Sequence, residues 1–152
     1  MANTGKTNAR WIGVYVDDAT ADAESRDISL DVTNVTIPIN YNTADVTGYS
    51  DGVVNVTVGH PSVNVTMDGV FSNKALTGAH TVLTQIVGQD GGGAVAPYAP
   101  YTVLIKVGIR KVWEATMPSF TGQFICNEYT VNGDMTWHAS FHPASTTLPG
   151  WV

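Results

Sequence analysis

Charge is scarce in this sequence. Only 13% of its 152 residues are Asp, Glu, Lys or Arg, about half the ~25% usual in soluble domains. A coiled coil, which needs Glu, Lys and Leu in quantity, is excluded. Bases are scarcer still. Seven Lys and Arg stand against thirteen Asp and Glu, giving a net charge of −6 with histidines neutral. They are scattered (Lys6, Arg10, Arg26, Lys74), with one small group at Lys106, Arg110 and Lys111. That argues against tight nucleic-acid binding, whose affinity comes mainly from Lys and Arg displacing counterions. Cys126 is the sole cysteine, so no internal disulfide can form, which fits a reducing compartment. In Phe124-Ile125-Cys126-Asn127 it reads as a small buried apolar residue rather than a reactive thiol. No apolar run approaches the ~20 residues that cross a bilayer, so no membrane insertion is expected. Met1-Ala2-Asn3-Thr4-Gly5-Lys6 leads into no apolar signal core, so no secretion signal is expected either.

What is there is β-type alternation. The length fits a single domain, 1–152, able to bury roughly 70% of its unfolded surface, with residues 1–9 and 143–152 as extended arms. Arg10–Val16 is a short strand candidate, and the acidic stretch Asp17–Asp27 reads as a loop. From Ile28 to Ile39 apolar residues alternate with polar ones, with a phase slip at Asn34 that suggests a bulge. Pro38 suits an edge. Asn40–Asp51 reads as a polar loop. Val54, Val56 and Val58, a Gly59-His60-Pro61-Ser62 turn, then Val63, Val65 and Met67 read as a β-hairpin with an apolar inner face. Ala79, Val82, Leu83, Ile86 and Val87 have helical spacing, with Thr77 as cap, Leu76 as brace and Gly88 as stop. Asp90–Gly93 and Ala96–Pro100 are connectors. Strands follow at 101–107, 109–116, 120–131 and 135–142, the last two joined by a tight turn at Asn132-Gly133-Asp134, because Asn-Gly tolerates positive φ.

No motif assembles a chemical site. Asn-Val-Thr at 34–36, 55–57 and 64–66 matches the glycosylation acceptor pattern, but each copy is a piece of alternating strand. His138 and His142 lie on the polar face of one strand, about 13 Å apart, too far to share an ion. His60 in a turn and His80 on a helix lack ligand partners, so no metal and no cofactor are expected. Gly91-Gly92-Gly93 lacks the Lys-Ser/Thr of a phosphate loop. Asp17-Asp18 and Asp22/Glu24 fall in a surface loop with no partner acid on a rigid element. Nothing unites nucleophile, base and oxyanion donor, so the chain is not read as an enzyme.

The unusual feature is the extent of uncharged polar strand face: Asn55, Thr57, Asn64, Thr66, Thr136, His138 and Ser140. Thr favours strands and adds no charge. Long hairpins also expose edges that can pair with a neighbouring copy. With few Lys or Glu to block that pairing, the sequence suits assembly.

At this point the chain resembles the tail tube (major tail) proteins of tailed bacteriophages. The resemblance rests on Asp27–Asn73 (long strand, polar loop, hairpin, small-residue connector Val70-Phe71-Ser72-Asn73), on the helix Thr77–Gly88, and on the closing strands Gly122–Phe141 with a Trp-bearing tail. It implies a mainly β fold: a β-sandwich with extended hairpins and one flanking α-helix, contributing strands to an oligomeric β-barrel tube. It also implies hexameric rings that stack into a hollow tail tube, through which genomic DNA passes transiently and without sequence specificity. Such a chain resides in the virion tail and is assembled in the bacterial host cytoplasm. Its partners are further copies of itself and other tail proteins: tape measure, tail terminator, and baseplate or tip. Under this resemblance Asn55, Thr57, Asn64, Thr66, Asp68, Thr136 and His138 face the lumen. Val54, Val56, Val65 and Met67 pack on the sandwich. Net negative charge repels DNA from the wall. The loop Asn40–Asp51, with Tyr41, Asn42, Asp45, Tyr49 and Asp51, contacts the stacked ring. The competing reading is a monomeric β-sandwich carbohydrate-binding or adhesin-like module using exposed aromatics such as Tyr98 and Trp151. Trp113 and Trp137 read instead as core.

Overall fold

A computed structural model describes residues 12–18, 25–87, 100–108, 117–144 and 147–152. The expected strand at 109–116 with Trp113, the Gly88 stop, the glycine run at 91–93, Tyr98, Asp22, Glu24 and residues 1–9 lie outside the described residues.

The chain forms β1 (Ile12–Asp17), β2 (Ser25–Asp27), a single 3-10 turn (Ser29–Asp31), β3 (Val32–Thr36), β4 (Ile39–Asp45), β5 (Val56–Val63) and β6 (Val65–Val70). There follow α1 (Ala79–Ile86), β7 (Tyr101–Val107), β8 (Ser119–Val131), β9 (Thr136–Pro143) and β10 (Gly150–Trp151). One antiparallel sheet runs in the order β2-β1-β7-β8-β9-β6-β3, with β10 added to β8, while β4 and β5, among the described residues, pair only with each other. Among the described residues the fold is mainly β with one α-helix, as expected.

The main sheet is curled for a simple reason of reach. β2 and β3 are its two ends, which in a flat sheet would lie about 29 Å apart at strand spacing. Only residues 28–31 separate them in the chain, and five peptide steps reach at most ~18 Å. The ends must therefore curl towards each other, and the Ile28 N–H donates to the Val14 carbonyl at 3.0 Å. The two walls of the expected sandwich are halves of one continuous sheet.

The inward face carries the core. Val14 and Val16 of β1, Val103 and Ile105 of β7, and Phe120 and Phe124 of β8 form one buried cluster with Val65 and Met67 of β6 and Trp137 and Phe141 of β9. The strand register puts all of these on the same side. Ala79, Val82, Leu83 and Ile86 bring the apolar stripe of α1 into that cluster, as their spacing predicts. The helix begins later than expected. Gly78, not Thr77, is its N-cap, and no cap side chain bonds back. The Asp31 carboxylate does that work from the 3-10 turn, accepting the Ala79 N–H at 2.9 Å. Leu76 does not brace the entry; it is exposed, with φ of 69°.

Three further expectations are corrected. The hairpin expected over 54–67 does not exist, because Gly59-His60-Pro61-Ser62 runs inside β5 as strand. β5 pairs backwards with β4, and the chain crosses to the main sheet at Asn64. A bulge opposite Asn42 absorbs the glycine, where the register shifts between Tyr41 and Thr43. Residues 40–45, expected as loop, are the body of β4. Ser25–Asp27, at the end of the expected acidic loop, is strand β2. The bulge expected at Asn34 is present, where β3 shifts register against β6. The turn between β8 and β9 is also present, but the positive φ falls on Met135 (63°) and not on Asn132 or Gly133. The Met135 N–H donates to the Asn132 carbonyl at 3.1 Å. That is a three-residue loop closed by a left-handed residue. At the C-terminal end, β10 lies along β8, and Val152 and Ser119 exchange backbone hydrogen bonds of 2.7 and 3.2 Å.

Candidate functional site

β4 and β5 form an arm that leaves the main sheet at Thr36 and returns at Val65. Its register sorts its side chains. Ile39, Tyr41, Thr43 and Asp45 share one face with Pro61, Val58 and Val56, and Asn40, Asn42 and Ala44 share the other with Ser62 and Thr57. One face is thus largely apolar and the other polar. All of β4 is exposed, and Val56 and Val58 are exposed on β5. Val54 and Val56, expected on the core, are therefore outside it, because β5 pairs with β4 and not with β6. Val65 and Met67 are fully buried, as expected.

The arm's tip is built by its own polar side chains. Asp45 accepts the Thr47 N–H at 2.9 Å and the Thr47 hydroxyl at 2.5 Å. Thr47 Oγ1 accepts the Asn55 N–H at 2.9 Å, and Asp51 accepts the Gly48 N–H at 2.6 Å. These bonds favour the carboxylates, so both acids titrate below their ordinary range: the Thr47 hydroxyl and N–H act on Asp45, the Gly48 N–H and the Asn55 side chain on Asp51. Tyr49 stands fully in solvent above this scaffold.

The outward face of the main sheet is polar. Thr66 lies opposite Ser140, Asp68 opposite His138, and Thr130 on the other side of His138. His138 Nδ1 and Asp68 Oδ1 are 2.7 Å apart. Thr136 bonds to Asp134, whose carboxyl is held below its ordinary range by the Thr136 hydroxyl and N–H. The structure thus unites four of the seven residues assigned to the lumen: Thr66, Asp68, Thr136 and His138. The other three go elsewhere. Asn55 closes the arm's tip, Thr57 is on the arm's polar face, and Asn64 sits at the crossover. The five residues assigned to the ring-contact loop also divide. Tyr41 and Asp45 face one side of the arm, Asn42 the other, and Tyr49 and Asp51 occupy the tip. The apolar strip of Ile39, Val58 and Pro61 lies outside every site expected from the sequence; its signal there is the Val54/Val56/Val58 alternation, which by itself predicts a core-facing strand.

The remaining chemistry is structural. Cys126 is buried, and its thiol is pushed up to about 12 by that burial. Tyr129 is also pushed up to about 12 by burial, with its hydroxyl 2.9 Å from His80 Nδ1. Asp18 pairs with Arg26 at 2.7 Å, tying β1 to β2. Among the described residues no group of three or more His, Cys, Asp or Glu could hold a metal ion. No helix among them is long and apolar enough to cross a membrane.

The described residues thus form a curled antiparallel sheet with one packed helix and a projecting arm whose apolar face is exposed. No family model matches the sequence, and no curated protein does. Solved structures do match. A chain in the virion of the native gene transfer agent (GTA) particle is 15% identical, over 97% of this chain and 99% of that one, with a TM-score of 0.60. A chain in the tail of the empty GTA particle, which has C6 symmetry, is 15% identical over the same shares, with a TM-score of 0.61. The resemblance to tail tube proteins is met at the level of the fold, over nearly the whole of both chains.

Proposed function

We propose that this chain is a structural subunit of a phage-type tail tube: six copies close a ring, rings stack, and the hollow stack conducts DNA. The observation that carries this is the arm. A two-stranded hairpin alone is marginally stable, and one with an uncovered apolar face needs a partner surface. The likeness to a chain of a C6-symmetric tail supplies further copies as that partner. Among the described residues the longest open strand edges belong to the arm, where pairing with a sibling can complete them.

In this reading the polar face around Thr66, Asp68, Thr136 and His138 lines the lumen, and the net charge of −6 keeps DNA from adhering. Tyr41, Asn42, Asp45, Tyr49 and Asp51 make contacts between rings. The tube holds a tape measure inside and meets terminator and tip proteins at its ends. It belongs to the virion tail and is assembled in the bacterial host cytoplasm. The role is mechanical, with no cofactor and no catalysis.

The test is assembly of purified full-length chain, followed by sedimentation and negative-stain microscopy with rising concentration. Hollow rings or tubes are expected, and Val56→Asp/Val58→Asp should abolish the stacking of rings into tubes while leaving the chain folded. Compact monomers at every concentration, with tryptophan fluorescence quenched by added oligosaccharide, would instead establish the carbohydrate-binding module.

A further inference from the structure

We infer that the end of the main sheet opposite the arm is the seat on which the arm of a second copy of this chain lies, with Leu76 and Met135 at its centre. The inference rests on the tail-subunit reading above and names the partner surface of its arm.

The geometry starts from β6. The arm joins the sheet at Thr36 and Thr66, which face each other. Val70 is four residues further along β6, about 13 Å away. There the Phe71 N–H donates to the Met135 carbonyl at 2.8 Å, and Val70 lies opposite Thr136. The turn holding Leu30 reaches the same end, since Asp31 lies against Gly69 and bonds to Ala79. Four exposed apolar residues therefore belong to segments that meet at one end of the sheet: Leu30 at 95% exposure, Val70 at 52%, Leu76 at 61% and Met135 at 54%.

Two of them are held there against backbone preference. Leu76 and Met135 are the only non-glycine residues of positive φ among those described, at 69° and 63°. That region is disfavoured for L-residues, and for bulky ones it marks strain. Leu76 is fixed in it by the hydrogen bonds around its loop. The Gly78 N–H and the Thr81 hydroxyl both donate to the Lys74 carbonyl, at 2.9 and 3.0 Å, and the His80 N–H donates to the Ser72 carbonyl at 3.0 Å. At Met135 the angle closes the β8–β9 loop, whereas at Leu76 strain maintained to display an apolar side chain points to a function at that side chain.

The occupant follows from complementarity. The exposed parts of these four side chains and of Ile39, Tyr41, Val54, Val56 and Val58 come to roughly 1,000 Å² together, the lower bound for a specific interface. Residues 37–63 hold Asp45 and Asp51 but no Lys or Arg. The seat offers those acids one cation, Lys74 beside Leu76, next to its own Asp31 and Asp134, which bond to Ala79 and Thr136; the match is therefore carried by the apolar side chains. Because strip and seat lie at opposite ends, the contact is head-to-tail and propagates along one axis instead of closing on itself.

The experiment uses the full-length chain and two variants. Leu76→Gly/Met135→Gly removes both side chains and suits both φ angles, so its melting temperature should equal or exceed that of the wild type. Its critical concentration for stacking should rise roughly tenfold or more. Val56→Asp/Val58→Asp keeps the seat and loses the arm. Neither variant should stack alone, but their mixture should form two-layer particles that grow no further, since one intact arm meets one intact seat. Wild-type stacking matched by the Gly variant, or a mixture that never pairs, would overturn this inference and leave the proposed function standing. Wild-type chain that never assembles would overturn both.

Discussion

Adding one methyl group at Gly69 tests how the sheet closes. Gly69 is buried in β6 between Val32 of β3 and Trp137 of β9. A Cβ there would lie 1.9 Å from the Asp31 carbonyl oxygen and 2.7 Å from Cε2 and Cζ2 of the Trp137 indole. Ordinary contact needs the Asp31 backbone to retreat by about 1.5 Å and the indole to tilt. Overpacking of this kind costs ~1–3 kcal/mol. The displacement also disturbs two hydrogen bonds, from the Ala79 N–H to Asp31 at 2.9 Å and from Trp137 Nε1–H to the Val70 carbonyl at 3.0 Å, each contributing about 1 kcal/mol. The lower unfolded-state entropy of Ala returns less than ~1 kcal/mol. Gly69→Ala should therefore lose roughly 3 kcal/mol, a fall in Tm of about 6–12 °C for a chain of this length. Gly133→Ala is the control, because nothing lies within 4 Å of a Cβ there, and it should stay within ~0.5 kcal/mol of wild type. Urea unfolding followed by tryptophan fluorescence reads both. A Gly69→Ala protein as stable as the control would refute the claim that the 3-10 turn is pressed against β6 to close the sheet.

Two titrations follow from the same geometry. Cys126 and Tyr129 are both raised to about 12 by burial. Only the unfolded chain then releases these protons between about pH 9 and 12, so stability should be flat below that window and fall within it. Ellman's reagent at pH 8 should leave Cys126 unlabelled until denaturant is added, and prompt labelling of folded protein would contradict its burial. At the arm's tip, Asp45 and Asp51 are depressed, so the order they confer is present above the ordinary carboxylate pKa and lost as pH falls through their folded values. NMR titration of the Thr47 and Gly48 amides should show midpoints below those of unstructured aspartate. Midpoints at or above that reference would mean that the tip bonds do not hold in solution.

Much of this protein is determined locally. Alternation along residues 28–39, 63–67, 101–107, 120–131 and 135–142 predicts strands, and strands form over much of these runs, at 32–36, 65–70, 101–107, 119–131 and 136–143, because a sheet with one buried face requires that period. The stripe Ala79, Val82, Leu83, Ile86 predicts a helix and its buried face for the same kind of reason. The scarcity of bases and of catalytic constellations is likewise a property of the chain alone. What tertiary structure decided is which strands pair. Val54–Val58 and Val63–Met67 alternate equally well, but only the second run lies over the core. A period of two shows that a strand has two faces, and it does not show what covers either one. Gly59-His60-Pro61-Ser62 has turn composition, yet a bulge opposite Asn42 keeps it extended, because pairing with β4 outweighs local preference. The sites followed the pairing. Thr66, Asp68, Thr136 and His138 share a face because β6 adjoins β9, a contact between residues some 70 positions apart. The seat at Leu76 and Met135 depends on two left-handed backbone angles that neither residue type favours, held by turn hydrogen bonds such as Gly78 N–H to the Lys74 carbonyl and Met135 N–H to the Asn132 carbonyl.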